Sequence, residues 1–115
     1  MSDWKPEPRI KNPQLMEKLK HQMDACEITG LTAVQSGLRL HLHHVILRSQ
    51  GGDDVEENIL CVTGDLHESY HRSSRMARHS IAMHVWSNRP DVWAYLGRKL
   101  GASGREEWFR SHTYD

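Results

Sequence analysis

Cysteine is nearly missing: Cys26 and Cys61 are the whole supply, one possible pair with no secretory hydrophobic segment ahead of it, so a disulfide scaffold is not expected. Long apolar runs are missing too. Nothing approaches the roughly 18 consecutive apolar residues that a membrane span requires, which predicts a soluble, intracellular protein. Net charge is also absent, with 15 Lys and Arg against 15 Asp and Glu, and this excludes binding of a polyanion driven by total charge alone. There is no internal repeat and no low-complexity tract. A chain of 115 residues with 37% hydrophobic content supports one modest core, hence one domain.

Histidine is what the chain has in excess. Of its nine, six fall between His41 and His79, and neutral imidazoles are available as metal ligands at neutral pH. Charge is unevenly spread. Asp53 to Glu68 holds six acidic residues and no Lys or Arg, whereas Arg72 to Arg110 holds eight basic residues against three acidic ones, which predicts a positive C-terminal third open to a polyanion.

Pro6, Pro8 and Pro13 among charges predict a flexible N-terminal arm over residues 1–13, followed by a single domain over 14–115. Gln14 to Ala25 reads as a helix with Leu15, Met16, Leu19 and Met23 on one face, and Cys26 to Gly30 as a tight turn. Gly37 to Ile46 alternates, with Leu38, Leu40 and Leu42 on one parity and Arg39, His41 and His43 on the other, the pattern of a strand with one apolar face. Gly51-Gly52-Asp53 turns the chain, and Asn58 to Val62 supplies a second strand. A helix is predicted after Asp65, boxed by Glu68, and continuing towards Trp86. Asn88-Arg89-Pro90 then interrupts, a helix follows over Asp91 to Leu100, and a last short one runs through Phe109, with Trp93, Trp108 and Phe109 in packing roles. The expected class is α+β: a small ββα unit at about 37–80 with flanking N- and C-terminal helices.

His67 and His71 are four apart on the predicted helix and so lie on one face, opposite the His43-His44 pair. Three imidazoles from two elements suit one cation, and His43, His67 and His71 are the expected ligands. His44 then remains as a base of near-neutral pKa for hydrolysis of a phosphodiester, unless a metal-bound water is itself the nucleophile. Neighbours on a strand face opposite ways, so both histidines serve one site only if the strand bulges or ends there. Asn58 either bridges backbone groups across the loop or accepts a hydrogen bond from His44. Arg48, Arg72 and Arg75 are the candidate phosphate contacts, since a guanidinium fork matches phosphate oxygens.

The run His41-Leu-His-His-Val-Ile-Leu-Arg-Ser-Gln-Gly-Gly-Asp53, then Asn58-Ile-Leu, then His67-Glu-Ser-Tyr-His71, resembles the HNH endonuclease family over about Cys26 to Arg72, and in particular its small phage-encoded members. The resemblance implies a ββα-metal finger. It implies His43 as a ligand, His44 as general base, Asn58 as the residue that orients the base, and His67 and His71 as ligands, with His71 the one that some members dispense with. It further implies a metal-dependent DNA endonuclease leaving 3′-hydroxyl and 5′-phosphate ends, one divalent ion (Mg, Mn, Ni or Zn), double-stranded DNA as partner, phage DNA-packaging proteins as further partners, and a cytoplasmic location in a bacterial host. The competing expectation is a noncatalytic, metal-stabilised DNA-binding or phage assembly module. One departure stands out: many members carry two Cys-x-x-Cys pairs around the finger. Here only Cys26 of the first pair is kept, and Thr63 and Leu66 stand where the second is expected, so a structural zinc held by four cysteines is not possible.

Overall fold

In the computed structural model, which describes residues 8–113, the first helix starts where Asn12 and Pro13 place it. The Asn12 side chain accepts a hydrogen bond from the Leu15 N–H at 3.0 Å, and Pro13 sits in the first turn, where its lack of an N–H costs nothing. This helix, α1 (Pro13–His21), stops before the expected Ala25, because the chain must turn to bring Cys26 fully into the core. The turn over Cys26 to Gly30 is present, closed by the Gly30 N–H on the Cys26 carbonyl at 2.7 Å. An unexpected short helix follows, α2 (Ala33–Ser36), with a reciprocal capping box between Thr32 and Gln35 and a left-handed Gly37 at its end.

Strands β1 (Leu40–His44) and β2 (Ile59–Thr63) form an antiparallel pair in the register His41 to Val62 and His43 to Leu60. Directly opposed residues share a face, so His41 and His43 lie on the same side as the fully buried Leu60 and Val62. The apolar parity of β1 is thus the less buried one: Leu40 and Leu42 are half-buried and Leu38 is exposed. The reason is which neighbours cover each face. Residues of α4 and α5 join Leu60 and Val62 in the core on the histidine side, while α1 residues line a cleft with Leu40 and Leu42.

Helix α3 (Gly64–His71) follows β2 without a loop. The Gly64 N–H donates to the Arg39 carbonyl at 2.7 Å, and a Cβ at Gly64 would stand 3.1 Å from His41 Nε2, so glycine lets the helix start against β1. The expected Asp65–Glu68 capping box is not formed. Thr63 is the N-cap residue and makes no side-chain cap bond, the entry being held by β2 instead. Nor does the helix run on towards Trp86: Ser73 adopts φ 61, and the Ser74 side chain starts α4 (Arg75–Asn88) by accepting from the Ala77 N–H. Helix α5 (Pro90–Thr113) is interrupted at Gly101, φ 77, which separates the two C-terminal segments expected from the sequence.

The core joins Leu60 and Val62 to Ile81 and Val85 of α4 and Val92 and Leu96 of α5, all fully buried and each contributing about 1.5–3 kcal/mol by removal from water. A polar knot supplements it. Glu27 accepts from Arg89 Nη1 and His84 Nε2, both at 2.8 Å, and from the Cys61 N–H at 2.8 Å, while Arg89 also donates to the Ile59 carbonyl at 3.1 Å. The Cys26 turn is thereby tied to β2 and to the α4–α5 corner. Among the described residues, no helix is long and apolar enough to cross a membrane.

The arm expected over residues 1–13 is corrected in its second half; residues 1–7 lie outside the described residues. From Arg9 to Asn12 the chain is a strap fixed to the loop after Gly51. Ile10 N–H donates to Asp53 Oδ1 at 2.7 Å, Asp54 N–H to the Ile10 carbonyl at 2.8 Å, Asn12 N–H to Asp54 Oδ2 at 3.0 Å, and Arg9 Nε to the Gly52 carbonyl at 2.8 Å. Gly52 is required here, since a Cβ would fall 1.7 Å from the Ile46 carbonyl oxygen. The acidic loop is therefore no solvated negative face. Asp53 and Asp54 are buried, the first under Tyr95 at 2.7 Å and Lys99 at 3.0 Å.

Candidate active site

Three of the sequence-predicted residues converge. One ring nitrogen each from His43, His67 and His71 lies within 4.8 Å of the others, and the Nδ1 atoms of His43 and His67 are 3.1 Å apart. Two Nδ1 lone pairs facing each other at that distance repel unless one nitrogen carries a proton or both bind a cation. Two nitrogens sharing a tetrahedral ion at about 2.0–2.1 Å each would stand about 3.3 Å apart, so the spacing fits a shared ion. The chemistry of the donors fits as well. Burial and the neighbouring His67 and His71 push the His43 pKa down to about 3, and burial with His71 and His41 lowers that of His67, so both rings keep free lone pairs at neutral pH. Three imidazoles are a donor set that suits a divalent ion such as zinc.

The placement of the triad follows from local structure. β1 puts His43 on its core side, α3 puts His67 and His71 one turn apart above it, and Tyr70 fills the space beneath, its ring edge-on to His43 with centroids 4.6 Å apart. Tyr70 is itself held from the C-terminus. Its hydroxyl is 2.7 Å from His112 Nε2, and His112 Nδ1 is 2.7 Å from the Trp108 carbonyl. A carbonyl only accepts, so Nδ1 carries the proton and Nε2 accepts from Tyr70.

His44 follows His43 in a regular ladder, paired with Ile59, and the strand ends there without a bulge. It therefore faces away from His43 and does not join the triad. Its Nε2 is 2.9 Å from Asp54 Oδ1, both side chains being 10% exposed or less. A carboxylate only accepts, so Nε2 is the protonated nitrogen and Nδ1 keeps the lone pair. Arg48 Nε lies 3.5 Å from the same Nε2, which has no lone pair to offer it; its effective partner is Asp54 Oδ1 at 3.7 Å. Burial alone would raise the Asp54 pKa, but the Asn12 N–H, His44 and the guanidinium groups of Arg9 and Arg48 outweigh it and hold the carboxylate ionised. For His44, burial and Arg48 together outweigh Asp54 and lower the pKa, leaving a neutral imidazole.

Asn58 takes the first of its two expected positions. Its amide donates to the Ile46 and Asp53 carbonyls, each at 3.0 Å, and its Oδ1 accepts from the Ile46 N–H at 2.8 Å, closing the base of the loop between the strands. Its hydrogen bonds go to backbone, and the side chain that orients His44 is Asp54. A cleft of about 1040 Å³ along the free edge of β1 is lined by His44, His67, His71 and Arg48. Arg72 and Arg75 do not line it. Arg72 is exposed at the end of α3, and Arg75 lines a separate depression with Arg78 and His79. The residues that sequence reasoning passed over are Asp54, Arg9, Tyr70 and His112. All four act over separations of about ten to forty-five residues, beyond any local spacing signal.

Set against known proteins, the chain matches no family model, no curated protein and no solved structure.

Proposed function

We propose that the protein is a metal-dependent DNA endonuclease of the HNH kind, its β1–β2–α3 unit acting as a ββα-metal finger. The observation that carries this is the division of labour among four histidines: three converge on one point, while the fourth is excluded from it, held in one tautomer by a buried carboxylate, and borders the same cleft as His67 and His71. An ion at His43, His67 and His71 would offset charge on the phosphoryl oxygens and the leaving oxygen. His44 Nδ1 takes a proton from water, the water oxygen bonds to phosphorus, the bond from phosphorus to the 3′ oxygen breaks, and that oxygen takes a proton from solvent, leaving 3′-hydroxyl and 5′-phosphate ends. The protonated ring is supported by Asp54, whose charge offsets the imidazolium. Asn58 contributes by keeping the loop that carries Asp54 closed on β1. Arg48, at the cleft, is the phosphate contact kept from the sequence reading.

Purified protein should nick or cut plasmid in a series of Mg²⁺, Mn²⁺, Ni²⁺ and Zn²⁺, and His44→Ala should lose about 100-fold or more of that rate, the usual contribution of a general base. DNA binding with no cleavage in any metal would favour the noncatalytic module instead. Cleavage by His44→Ala at the wild-type rate would leave the enzyme but remove its base.

A further inference from the structure

The neutral net charge and the basic C-terminal third leave open where a polyanion would lie, and the ion pairs decide it. Four of the eight C-terminal cations are engaged within the fold: Arg89 with Glu27 and Asp91, Lys99 with Asp53, Arg98 with Glu57 at 3.6 Å, and Arg105 over the Trp93 ring at 4.6 Å. The cleft beside β1 has the opposite character. Five cations line it against two carboxylates, Glu17 and Asp54, a local net charge of +3 on a chain whose formal net charge is zero. Two of the five, Arg9 and Arg48, are drawn to Asp54. The other three, Lys11, Lys20 and Arg39, have no carboxylate partner among the described residues.

These three come from separate elements with fixed backbones. Lys11 lies in the strap, between Ile10 and Asn12, which are bonded to Asp53 and Asp54. Lys20 is in the last turn of α1, and Arg39 precedes β1, its carbonyl held by the Gly64 N–H. Between them the floor is apolar, with Met16, Leu40 and Leu42, a surface that the deoxyribose edge of a strand can cover. A low-dielectric floor under unpaired cations concentrates the field outward, and the groove leads to His67 and His71.

We propose that the DNA strand lies in this groove between α1 and the free edge of β1, its phosphates neutralised by Lys11, Lys20 and Arg39, and that the C-terminal helices are not the binding face. The inference rests on the nuclease reading and gives its substrate a path. Each phosphate neutralised contributes about −0.9 to the slope of log K against log salt concentration, so three contacts account for about −2.7.

The test is fluorescence anisotropy of a labelled 20-base-pair duplex with the full-length, Zn²⁺-loaded protein in a His44→Ala background, over a salt series. Lys11→Ala/Lys20→Ala/Arg39→Ala should make the slope shallower by about 2.7 and weaken binding roughly 100-fold or more at 0.1 M salt. Lys11→Arg/Lys20→Arg should keep the parent slope, and so should Arg72→Ala/Arg75→Ala. An unchanged slope in the triple alanine variant, or a drop only in Arg72→Ala/Arg75→Ala, overturns the groove. Cleavage by the wild type with an unchanged slope sinks the groove alone. The expected slope change in a protein that cuts no plasmid in any metal sinks the nuclease reading and keeps the groove, and no binding at all sinks both.

Discussion

At His44 one nitrogen is already committed, and that commitment is what makes the other useful. Asp54 Oδ1 at 2.9 Å fixes Nε2 as the donor, and Arg9, Asn12 and Arg48 in turn hold the carboxylate, so the tautomer is set by contacts from both ends of the neighbouring sequence. An amide in place of that carboxylate can present either a donor or an acceptor, and it carries no charge to support an imidazolium. Asp54→Asn is therefore expected to lower plasmid cleavage by about 10- to 100-fold, the usual effect of losing a group that orients a site residue, while leaving the Zn²⁺ stoichiometry unchanged. Cleavage at the wild-type rate would remove Asp54 from this role. The adjacent His43 differs. It is fully buried, Nδ1 faces His67, and among the described residues Nε2 has no hydrogen-bond partner.

Among the elements, what was legible in the chain was what depends on short spacing. The His67–His71 pair at helical separation, the turn at Cys26 and the Pro90 start of α5 all follow from residues within a turn of one another. Helix α2 carried an equally local signal, Thr32 and Gln35 as a capping box with Gly37 behind it, that went unread. The break between α3 and α4 was harder to foresee, because Arg72, Ser73 and Ser74 include neither glycine nor proline, and the positive φ at Ser73 is taken by a residue that rarely adopts it. The strand parity of β1 misled for a different reason. Alternation shows that two faces differ, but which one is covered depends on where α3, α4 and α5 pack, and they cover the histidines. The role of Asp54, and the pairing that occupies the C-terminal cations, are likewise long-range facts: Asp54 meets Arg9 across forty-five residues, and Arg89 meets Glu27 across sixty-two.

At the scale of the whole molecule, two buried imidazoles tie stability to pH. His43 is held at about 3 by burial and its histidine neighbours, and His112 at about 4 mainly by burial, against an ordinary value of 6.5. Between pH 6.5 and those values the unfolded chain binds a proton at each of these two positions that the native chain refuses, and the lowered His44 and His67 act with the same sign. Their contribution to stability is thus fully present above pH 6.5 and is lost as pH falls towards 4 and then 3. The lowered carboxylates Glu27 and Asp54 act with the same sign at still lower pH. Denaturant unfolding of the metal-free chain should show the free energy dropping by roughly 2–3 kcal/mol per pH unit between about pH 6 and 4.5. A flat profile over that window would mean that the two rings are not held neutral by the fold.

In the proposed site three imidazoles grip one ion while a fourth is kept apart from it. Calorimetric titration of Zn²⁺ into wild-type, His44→Ala and His67→Ala protein tests it most directly. The account predicts one ion per chain at similar affinity for the wild type and His44→Ala. For His67→Ala it predicts a loss exceeding about 100-fold, since even outer contacts to a metal site are worth 10- to 100-fold. Equal binding by His67→Ala, or an equal loss in His44→Ala, would contradict it.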